Sequence, residues 1–442
     1  MEYLDPLKLD RTLSRAAAEW VRWSRRLRAG EIAPLGAFEM HRWAIGKERF
    51  SQVLELHEAD PLRKPLSRWI YRLADARINQ AALLEQATEL RITPRKVQSE
   101  KEELTLAALK QRALRPPGAL DERIGRRTAL LEALMLHAHE YRRVTATLWQ
   151  RRLEVSKRMG LSSADEIELP HPDSAGLASD WLDKTQDAWL SLGPDSLSHV
   201  LELGLDVRDE HGWPARINPD SLRRLLDEGE LFRSLNLDPG PLPQALGGAS
   251  FLRALSRVGA AWHDAASPKD QPFVVTFDPY GLRRRSVGAR FALLALSPSY
   301  VRRKLELSGP RLSQHLRCTA ISLLWETRLA ALRVLLRDPA SDSTERFIQA
   351  FEEHARRATG TALDPRLCGA LVELHPDDAQ RFLGAPLAAA EVVRLRDAHD
   401  EDWFRNPRGI DQLRSEAARP PFTQVESVDL APLAAALLEY LG

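Results

Sequence analysis

The sequence predicts an all-α fold with at most one minor β hairpin, organised as an elongated helical N-terminal arm packed on a larger helical body. Apolar residues repeat with helical spacing, as in Leu66, Trp69, Ile70 and Leu73, which lie on one face of a helix. A segment with strand composition occurs once, at residues 273–277. The hydrophobic share of 44% and the charged share of 28% are those of a globular protein and exclude a disordered or collagen-like chain.

The first 160 residues predict the arm, because their apolar residues keep the helical period over long stretches. Thr93 and Pro94 form an N-cap followed by proline at the first helical position, and Gly160 suits a helix end near Arg158. Short connections favour antiparallel packing of neighbouring helices. The helices expected in the arm lie near 7–29, 36–58, 62–91, 94–114 and 119–159.

Residues 161–442 predict the body, where proline and glycine become frequent and the helices shorten. The β-branched and aromatic residues 272–277 predict a short strand, and the turn-forming sequence 278–281 closes it. The helices expected in the body lie near 174–191, 219–228, 249–266, 311–337, 343–358 and 386–399.

The net charge of +1 conceals an asymmetry between the two parts of the chain. Residues 1–160 hold 31 basic and 21 acidic residues, a net charge of +10, and residues 161–442 have a net charge of −9. The two parts could attract each other, or the basic arm could bind nucleic acid or an acidic partner. The large excess of arginine over lysine indicates the coding bias of a GC-rich bacterium.

The sequence predicts a cytoplasmic protein without membrane insertion. The N-terminus has no basic region followed by an apolar stretch, and the most apolar segment, residues 319–336, is interrupted by Glu326, Arg328 and Arg333. Two cysteines, Cys318 and Cys368, exclude a disulfide scaffold and a cysteine-based zinc ribbon.

Candidate metal ligands are sparse, so we expect neither a metal nor another cofactor. His137 and Glu140 share a helix face, but nothing nearby supplies further ligands. The acidic run at 399–402 lacks the glycine and the ligand spacing of a calcium loop. No nucleophile elbow occurs, and we expect no catalytic residue at any short motif.

The basic triplet Arg283, Arg284 and Arg285 is the densest basic position in the acidic part of the chain. Guanidinium groups bind carboxylates through two parallel hydrogen bonds, so the triplet could bind a peptide carboxylate. Alternatively, the three residues form ion pairs with the acidic residues around them.

Residues 157–167 resemble a phrase that follows the helical arm in zinc peptidases of the thimet oligopeptidase and oligoendopeptidase type, with basic Lys157 and Arg158 ahead of Gly160, then Ser163 and Glu166. The order of elements over about residues 30–410 also resembles this family. The resemblance implies two long helices, at about 286–305 and 311–337. The first would carry the H-E-x-x-H zinc motif, and the second would supply a glutamate as the third ligand.

The chain departs from that pattern where the zinc motif is expected. Residues 289–300 contain neither histidine nor glutamate, so they supply neither zinc ligands nor a general base. Glu326 lies where the third ligand is expected, but one carboxylate does not make a zinc site. The resemblance therefore implies a member that has lost its metal and its hydrolytic activity.

Three functional hypotheses follow. The first is a catalytically inactive, peptidase-like pseudoenzyme that binds a peptide or protein, or acts as a scaffold. The second is an active hydrolase with a scattered acid–base site formed by His315, Glu326 and His354. The third is a binder of nucleic acid or an acidic partner through the basic arm. The first hypothesis places its cleft residues at Tyr280, Arg283, Arg284, Arg285, His315 and Glu326.

Overall fold

The computed structural model describes residues 4–28, 31, 34–36, 38–92, 94–96, 103–116, 120–171, 173–205, 237–240, 248–419 and 425–441. In these residues the fold is all-α, as predicted. Their β structure is a two-residue antiparallel pairing of β1 (Pro94–Arg95) with β2 (Leu104–Thr105).

The arm contains long helices at most of the expected positions. The expected helix at 36–58 is divided, because Gly46 has an extended backbone between the two pieces. The expected helix at 94–114 begins only at Leu106, where the Thr105 side chain accepts a hydrogen bond from the Ala108 amide. The helical elements of the arm are α1 (Pro6–Arg28), a 3-10 helix (Glu39–Ala44), α2 (Lys47–Leu54), α3 (Arg63–Ile92), α4 (Leu106–Leu114) and α5 (Leu120–Met159).

The body contains shorter helices around one long central helix. Its first helices are α6 (Asp165–Glu168), α7 (Ser174–Lys184), α8 (Gln186–Leu190), α9 (Leu197–Leu205), α10 (Gly248–Ala266), α11 (Phe273–Thr276) and α12 (Leu282–Leu293). They are followed by α13 (Pro298–Lys304), α14 (Gly309–Leu335), α15 (Arg337–Asp342), α16 (Thr344–Thr359), α17 (Asp378–His399), α18 (Pro407–Ala417) and α19 (Ala431–Leu438), with 3-10 turns at Leu294–Leu296 and Pro365–Leu367. The helix expected at 219–228 lies outside the described residues.

The strand predicted at residues 272–277 is wrong, because Phe273–Thr276 forms the helical turn α11. The Asp10 carboxylate of α1 accepts hydrogen bonds from the amides of Phe273 and Val274, which are the first free donors of that turn. The Phe273 ring packs on Trp69 of α3 at a centroid distance of 4.7 Å. Contacts with distant residues therefore override the strand composition of this segment.

The expected helix at 286–305 is also interrupted. Helix α12 passes into the 3-10 turn, and α13 then begins with Pro298 in its first turn. The Ser297 side chain caps α13 by accepting a hydrogen bond from the Tyr300 amide. Proline has no amide hydrogen to continue the preceding helix, so the chain restarts at this point.

The hydrophobic core consists of two clusters. One is centred on α1, α2 and α3 and also includes Val274 and Tyr280 of the body. The other fills the body and takes in α4 and much of α5 from the arm. Both clusters therefore combine residues from before and after residue 160, while the division into two domains at that residue stays a prediction.

Close helix packing occurs where α12 crosses α10. A Cβ atom on Gly288 would lie 2.7 Å from the Ser256 carbonyl oxygen, so this crossing requires a residue without a side chain. The same helix contacts α17 on its other side, at Gly384. Helix α12 is therefore held between two neighbours, and this fixes the direction of its arginines.

Candidate functional site

Arg283, Arg284 and Arg285 do not form one site, because consecutive residues on a helix point in different directions. Arg283 donates to the Glu416 carbonyl at 3.0 Å, and Arg284 forms an ion pair with Asp264 at 2.8 Å. Arg285 pairs with Asp377, which lies just before α17. The structure therefore separates the predicted triplet into three different contacts.

The other predicted cleft residues are also dispersed. Tyr280 is buried beneath Arg68, and its hydroxyl donates to Glu168 at 3.4 Å. His315 is buried, with its Nε2 atom 3.1 Å from the Ala295 carbonyl oxygen. Glu326 accepts a hydrogen bond from Arg253 at 2.8 Å.

The residues of the scattered hydrolase hypothesis do not converge. His315 and Glu326 are eleven residues apart on α14, which separates them by roughly 16 Å along the helix axis. His354 lies on α16, where desolvation lowers its pKa. The geometry of these three residues therefore gives no support to shared acid–base chemistry.

A recessed cluster of charges lies around Arg285. Its ion-pair partner Asp377 also contacts Arg381 of α17 at 3.3 Å. Burial alone would raise the pKa of Asp377, but Arg285 and Arg381 outweigh it and hold this pKa well below its ordinary value. Desolvation lowers the pKa of Arg285, although its side chain retains some contact with solvent.

The arm closes the other side of this cluster through Lys110 of α4. Its ammonium nitrogen lies 3.7 Å from Glu373, whose side chain is 51% exposed. Desolvation lowers the pKa of Lys110, and Lys110 in turn lowers the pKa of Glu373. His375 belongs to the same cluster, and its pKa is lowered first by desolvation and then by Arg381. The cluster therefore combines partly exposed charged side chains of both signs.

The most informative pair in the cluster is Arg333 of α14 and Asp378 of α17. The Nε atom of Arg333 is buried and has no hydrogen-bond partner among the described residues. The Asp378 side chain accepts from the His375 amide at 2.6 Å through Oδ2, while its Oδ1 atom is buried without a partner there. Desolvation lowers the pKa of Arg333, and Asp378 is the first of the charges that oppose this shift. The side chains of Arg333 and Asp378 are thus incompletely hydrogen-bonded within the described residues.

Arg328, five residues before Arg333 on α14, differs from it in having many hydrogen-bond partners. Its guanidinium donates to the carbonyls of Ala358 and Leu182 and to the Gln186 side chain, at 2.7–3.0 Å. Its full set of partners fixes α14 against α7 and α16. Because Arg333 has no comparable set, it is the better candidate for contacting a ligand.

We call this surface the charged recess. It combines residues of α4, α12, α14 and α17 with those of the loop before α17. Its members are Lys110, Arg285, Arg333, Glu373, His375, Asp377, Asp378 and Arg381.

A buried ion network fixes the arm to the body next to the recess. Glu168 of α6 accepts hydrogen bonds from Arg152 of α5 and from Arg337 of α15, the latter at 3.0 Å. Arg337 also contacts Asp165 at 2.9 Å. Arg152 lies 3.5 Å from Asp75 of α3. The network is not predicted from the sequence, because it joins residues as far apart as Asp75, Arg152 and Arg337.

The peptidase-like phrase at 157–167 lies against this network and has a local structural role. Glu166 accepts hydrogen bonds from the Ser162 amide and hydroxyl, and these bonds lower its pKa. The Ile167 carbonyl accepts from the buried Arg68 guanidinium. The phrase therefore shapes the turn from α5 into α6.

The segment where the zinc helix was expected is packed with other contacts. Phe291 is buried, and the neighbouring Arg290 forms ion pairs with Glu391 and with Glu416, the latter at 2.9 Å. Across the part of the chain that the structure describes, no group of three histidine, cysteine, aspartate or glutamate side chains is arranged to hold a metal ion. The acidic run at 399–402 is partly paired, since Asp402 contacts Arg405 at 3.3 Å.

None of the helices in the described residues is both long enough and apolar enough to cross a bilayer.

The all-α fold that positions the recess is similar to the fold of a solved peptidase structure. A particular solved structure that shares it is the carboxypeptidase of Pyrococcus furiosus in its apo-Mg form, with a TM-score of 0.52 and 11% sequence identity. The match covers 100% of this chain and 99% of that chain. At this identity the similarity concerns the fold alone, and the finer assignment to the thimet oligopeptidase type stays a prediction. No family model and no curated protein sequence matches the chain.

Proposed function

We propose that the protein is a peptidase-fold binding protein that holds a peptide segment in the charged recess without hydrolysing it. The observation that carries this proposal is the group of partly exposed charged side chains around Arg333, whose Nε atom has no hydrogen-bond partner among the described residues. Arg333 is partly exposed, so a ligand that accepts hydrogen bonds from the exposed part of its guanidinium would gain from binding there.

A peptide matches the chemistry of this surface. Each peptide unit carries a carbonyl oxygen that accepts from Arg333 and an amide that donates to the exposed Glu373 carboxylate. The surrounding charges have both signs, with Lys110 and Arg381 near Glu373 and Asp377. Such a mixed surface suits a chain with charged side chains or termini better than it suits a uniformly charged polymer.

The absence of hydrolysis is part of the proposal and rests on residue types. The segment 289–300 supplies neither metal ligands nor a general base, and Arg290 within it is committed to two glutamates. Arginine does not lose its proton at neutral pH, so the guanidiniums of the recess do not replace the missing base. They can bind and orient a peptide.

A binding measurement with a matched control tests the proposal. Fluorescein-labelled hexapeptides of mixed charge are titrated with the protein, and affinity is followed by anisotropy. We expect Arg333→Ala to weaken binding about tenfold, the loss of a charge-assisted hydrogen bond. Arg366→Ala is the control, because Arg366 is exposed outside the recess and pairs with Asp364.

Two further readouts separate the parts of the proposal. Arg333→Lys retains the charge but lacks the planar donor arrangement, so we expect it to restore binding only partly. Equal affinities for wild type and both Arg333 variants would contradict binding at the recess. Mass spectrometry of the peptides after incubation with added zinc tests hydrolysis, and cleavage products absent from the protein-free sample would contradict the inactive interpretation.

A further inference from the structure

The exposed side of α1 carries a continuous row of basic residues. Lys8, Arg11, Arg15 and Arg22 follow helical spacing on the solvent side, whereas Leu9, Leu13, Ala16 and Ala17 face the core. The row extends for roughly 21 Å along the helix. We call these four basic residues the basic face.

The acidic residues of α1 are outnumbered by this row. Asp10 is buried and accepts from the Val274 amide at 2.8 Å. Glu19, which lies one turn from both Arg15 and Arg22, contacts His41 at 3.1 Å. Arg15 and Arg22 have no ion-pair partner among the described residues, so their charge is directed to solvent.

Exposed apolar side chains adjoin the basic face. Met40 is 84% exposed and Trp43 is 43% exposed, and both lie on the 3-10 helix after α1. Residues three apart on a 3-10 helix eclipse each other, so the two side chains project from the same side. The Lys8 ammonium lies 5.9 Å and the Arg49 guanidinium 5.3 Å from the centroid of the Trp43 ring. We call Met40 and Trp43 the apolar tip.

Exposed apolar residues are frequent in this part of the chain. Of the ten large apolar residues that are exposed in the described chain, six lie between residues 7 and 54. Exposed apolar side chains next to basic residues, as at Trp43, are typical of an interaction surface.

We propose that the basic face and the apolar tip together bind the surface of an anionic phospholipid membrane. The cations contact lipid phosphates, while Trp43 and Met40 enter the headgroup region, where tryptophan is favoured. The helix does not insert, because its apolar side is occupied by the core. This surface is separate from the charged recess and could bring a peptide-binding protein to a membrane.

A nucleic acid would satisfy the basic face but not the apolar tip. Phosphates match the arginines, and one tryptophan could stack on a base, but a protruding methionine gains nothing from a sugar–phosphate backbone. The two occupants therefore differ in their dependence on Met40, and the experiment below uses this difference.

Vesicle sedimentation with the full chain tests the proposal. Sucrose-loaded vesicles of phosphatidylcholine alone, or with an equal part of phosphatidylglycerol, are pelleted with the protein at low and at high salt. We expect binding to the anionic vesicles at low salt and release at high salt. The double variant Arg15→Glu/Arg22→Glu should lower the bound-to-free ratio at least about tenfold.

Two more variants make the result specific. Met40→Ser/Trp43→Ser should also weaken vesicle binding, since it removes the apolar tip while all charges remain. Lys157→Glu/Arg158→Glu makes the same change in net charge at exposed positions at the end of α5, and should bind as the wild type does. Circular dichroism melts confirm that each variant is folded.

Three outcomes would overturn the proposal. One is no binding to phosphatidylglycerol vesicles at low salt. Another is equal loss of binding in the Lys157/Arg158 variant, which would show only a general charge effect. The third is tighter binding to an oligonucleotide that depends on Arg15 and Arg22 but not on Met40 and Trp43, which would assign the surface to nucleic acid.

Discussion

Arg337 and Glu168 form a buried ion pair at 3.0 Å within the body, next to the end of the arm. The same carboxylate also accepts a hydrogen bond from Arg152 of α5, so one glutamate links two guanidiniums from different parts of the chain. These buried charges therefore act together with the hydrophobic core to fix the arm against the body.

Removing one partner of this network should destabilise the protein strongly. Arg337→Met leaves the buried Glu168 carboxylate with only one of its two arginine partners, Arg152. We expect the free energy of unfolding to fall by about 3–5 kcal/mol. Arg346→Met removes an exposed ion pair with Asp342 and should cost at most about 1 kcal/mol. Urea unfolding followed by circular dichroism measures both. Similar losses for the two variants would mean that the buried network does not hold the arm.

The surroundings of Gly288 on α12 and Gly125 on α5 predict opposite effects on stability when each is replaced by alanine. Gly288→Ala places a Cβ atom 2.7 Å from the Ser256 carbonyl, so the helices must separate, at a cost of about 1–3 kcal/mol. Gly125→Ala on α5 meets nothing within 4 Å and should stabilise the protein by about 0.5–1 kcal/mol, because alanine favours the helix. Thermal unfolding of the two variants distinguishes them by sign, and a stable Gly288→Ala protein would contradict the close crossing.

The fold was predictable wherever local pattern and tertiary contacts agree. Helix α5 was expected at 119–159 and spans Leu120–Met159, because its apolar period and its terminal glycine act together. The segment 273–276 has strand composition but forms a helical turn, because Asp10, more than 260 residues away, binds its first amides. A contact over that distance is not visible in a local window of sequence.

The candidate site was predictable only in part. The sequence singles out all three arginines of the basic triplet, but only Arg285 lies in the charged recess. Its partner Asp377 is not predicted, and Arg283 and Arg284 bind elsewhere. Arg333 is not among the predicted cleft residues, and the signal available for it is that it interrupts the most apolar segment. Arg328 interrupts the same segment but has a structural role. The sequence therefore does not distinguish Arg328 from Arg333, whereas their hydrogen bonds in the structure do.

The depressed pKa of Asp377 predicts an acid-dependent loss of stability. Its folded-state pKa lies below the ordinary value of 3.8, so its contribution is present above that value and is lost as the pH falls towards the folded-state pKa. Asp377→Asn removes this contribution at neutral pH. We therefore expect the stability difference between wild type and variant to shrink as the pH falls below about 4. Urea midpoints across that range test this, and a difference independent of pH would be inconsistent with the Arg285 pairing.

The two cysteines should differ in reactivity, because their environments differ. Cys368 is buried beside the Phe347 carbonyl, and burial raises the pKa of its thiol to about 12, so few thiolates form at neutral pH. Cys318 of α14 is partly exposed. Since the thiolate is the reactive form, iodoacetamide should modify Cys318 of the folded protein much faster than Cys368. Peptide mass spectrometry over time measures both rates, and unfolding in urea should make them similar. Faster labelling of Cys368 in the folded protein would show that the packing of the 3-10 turn against α5 and α16 opens readily.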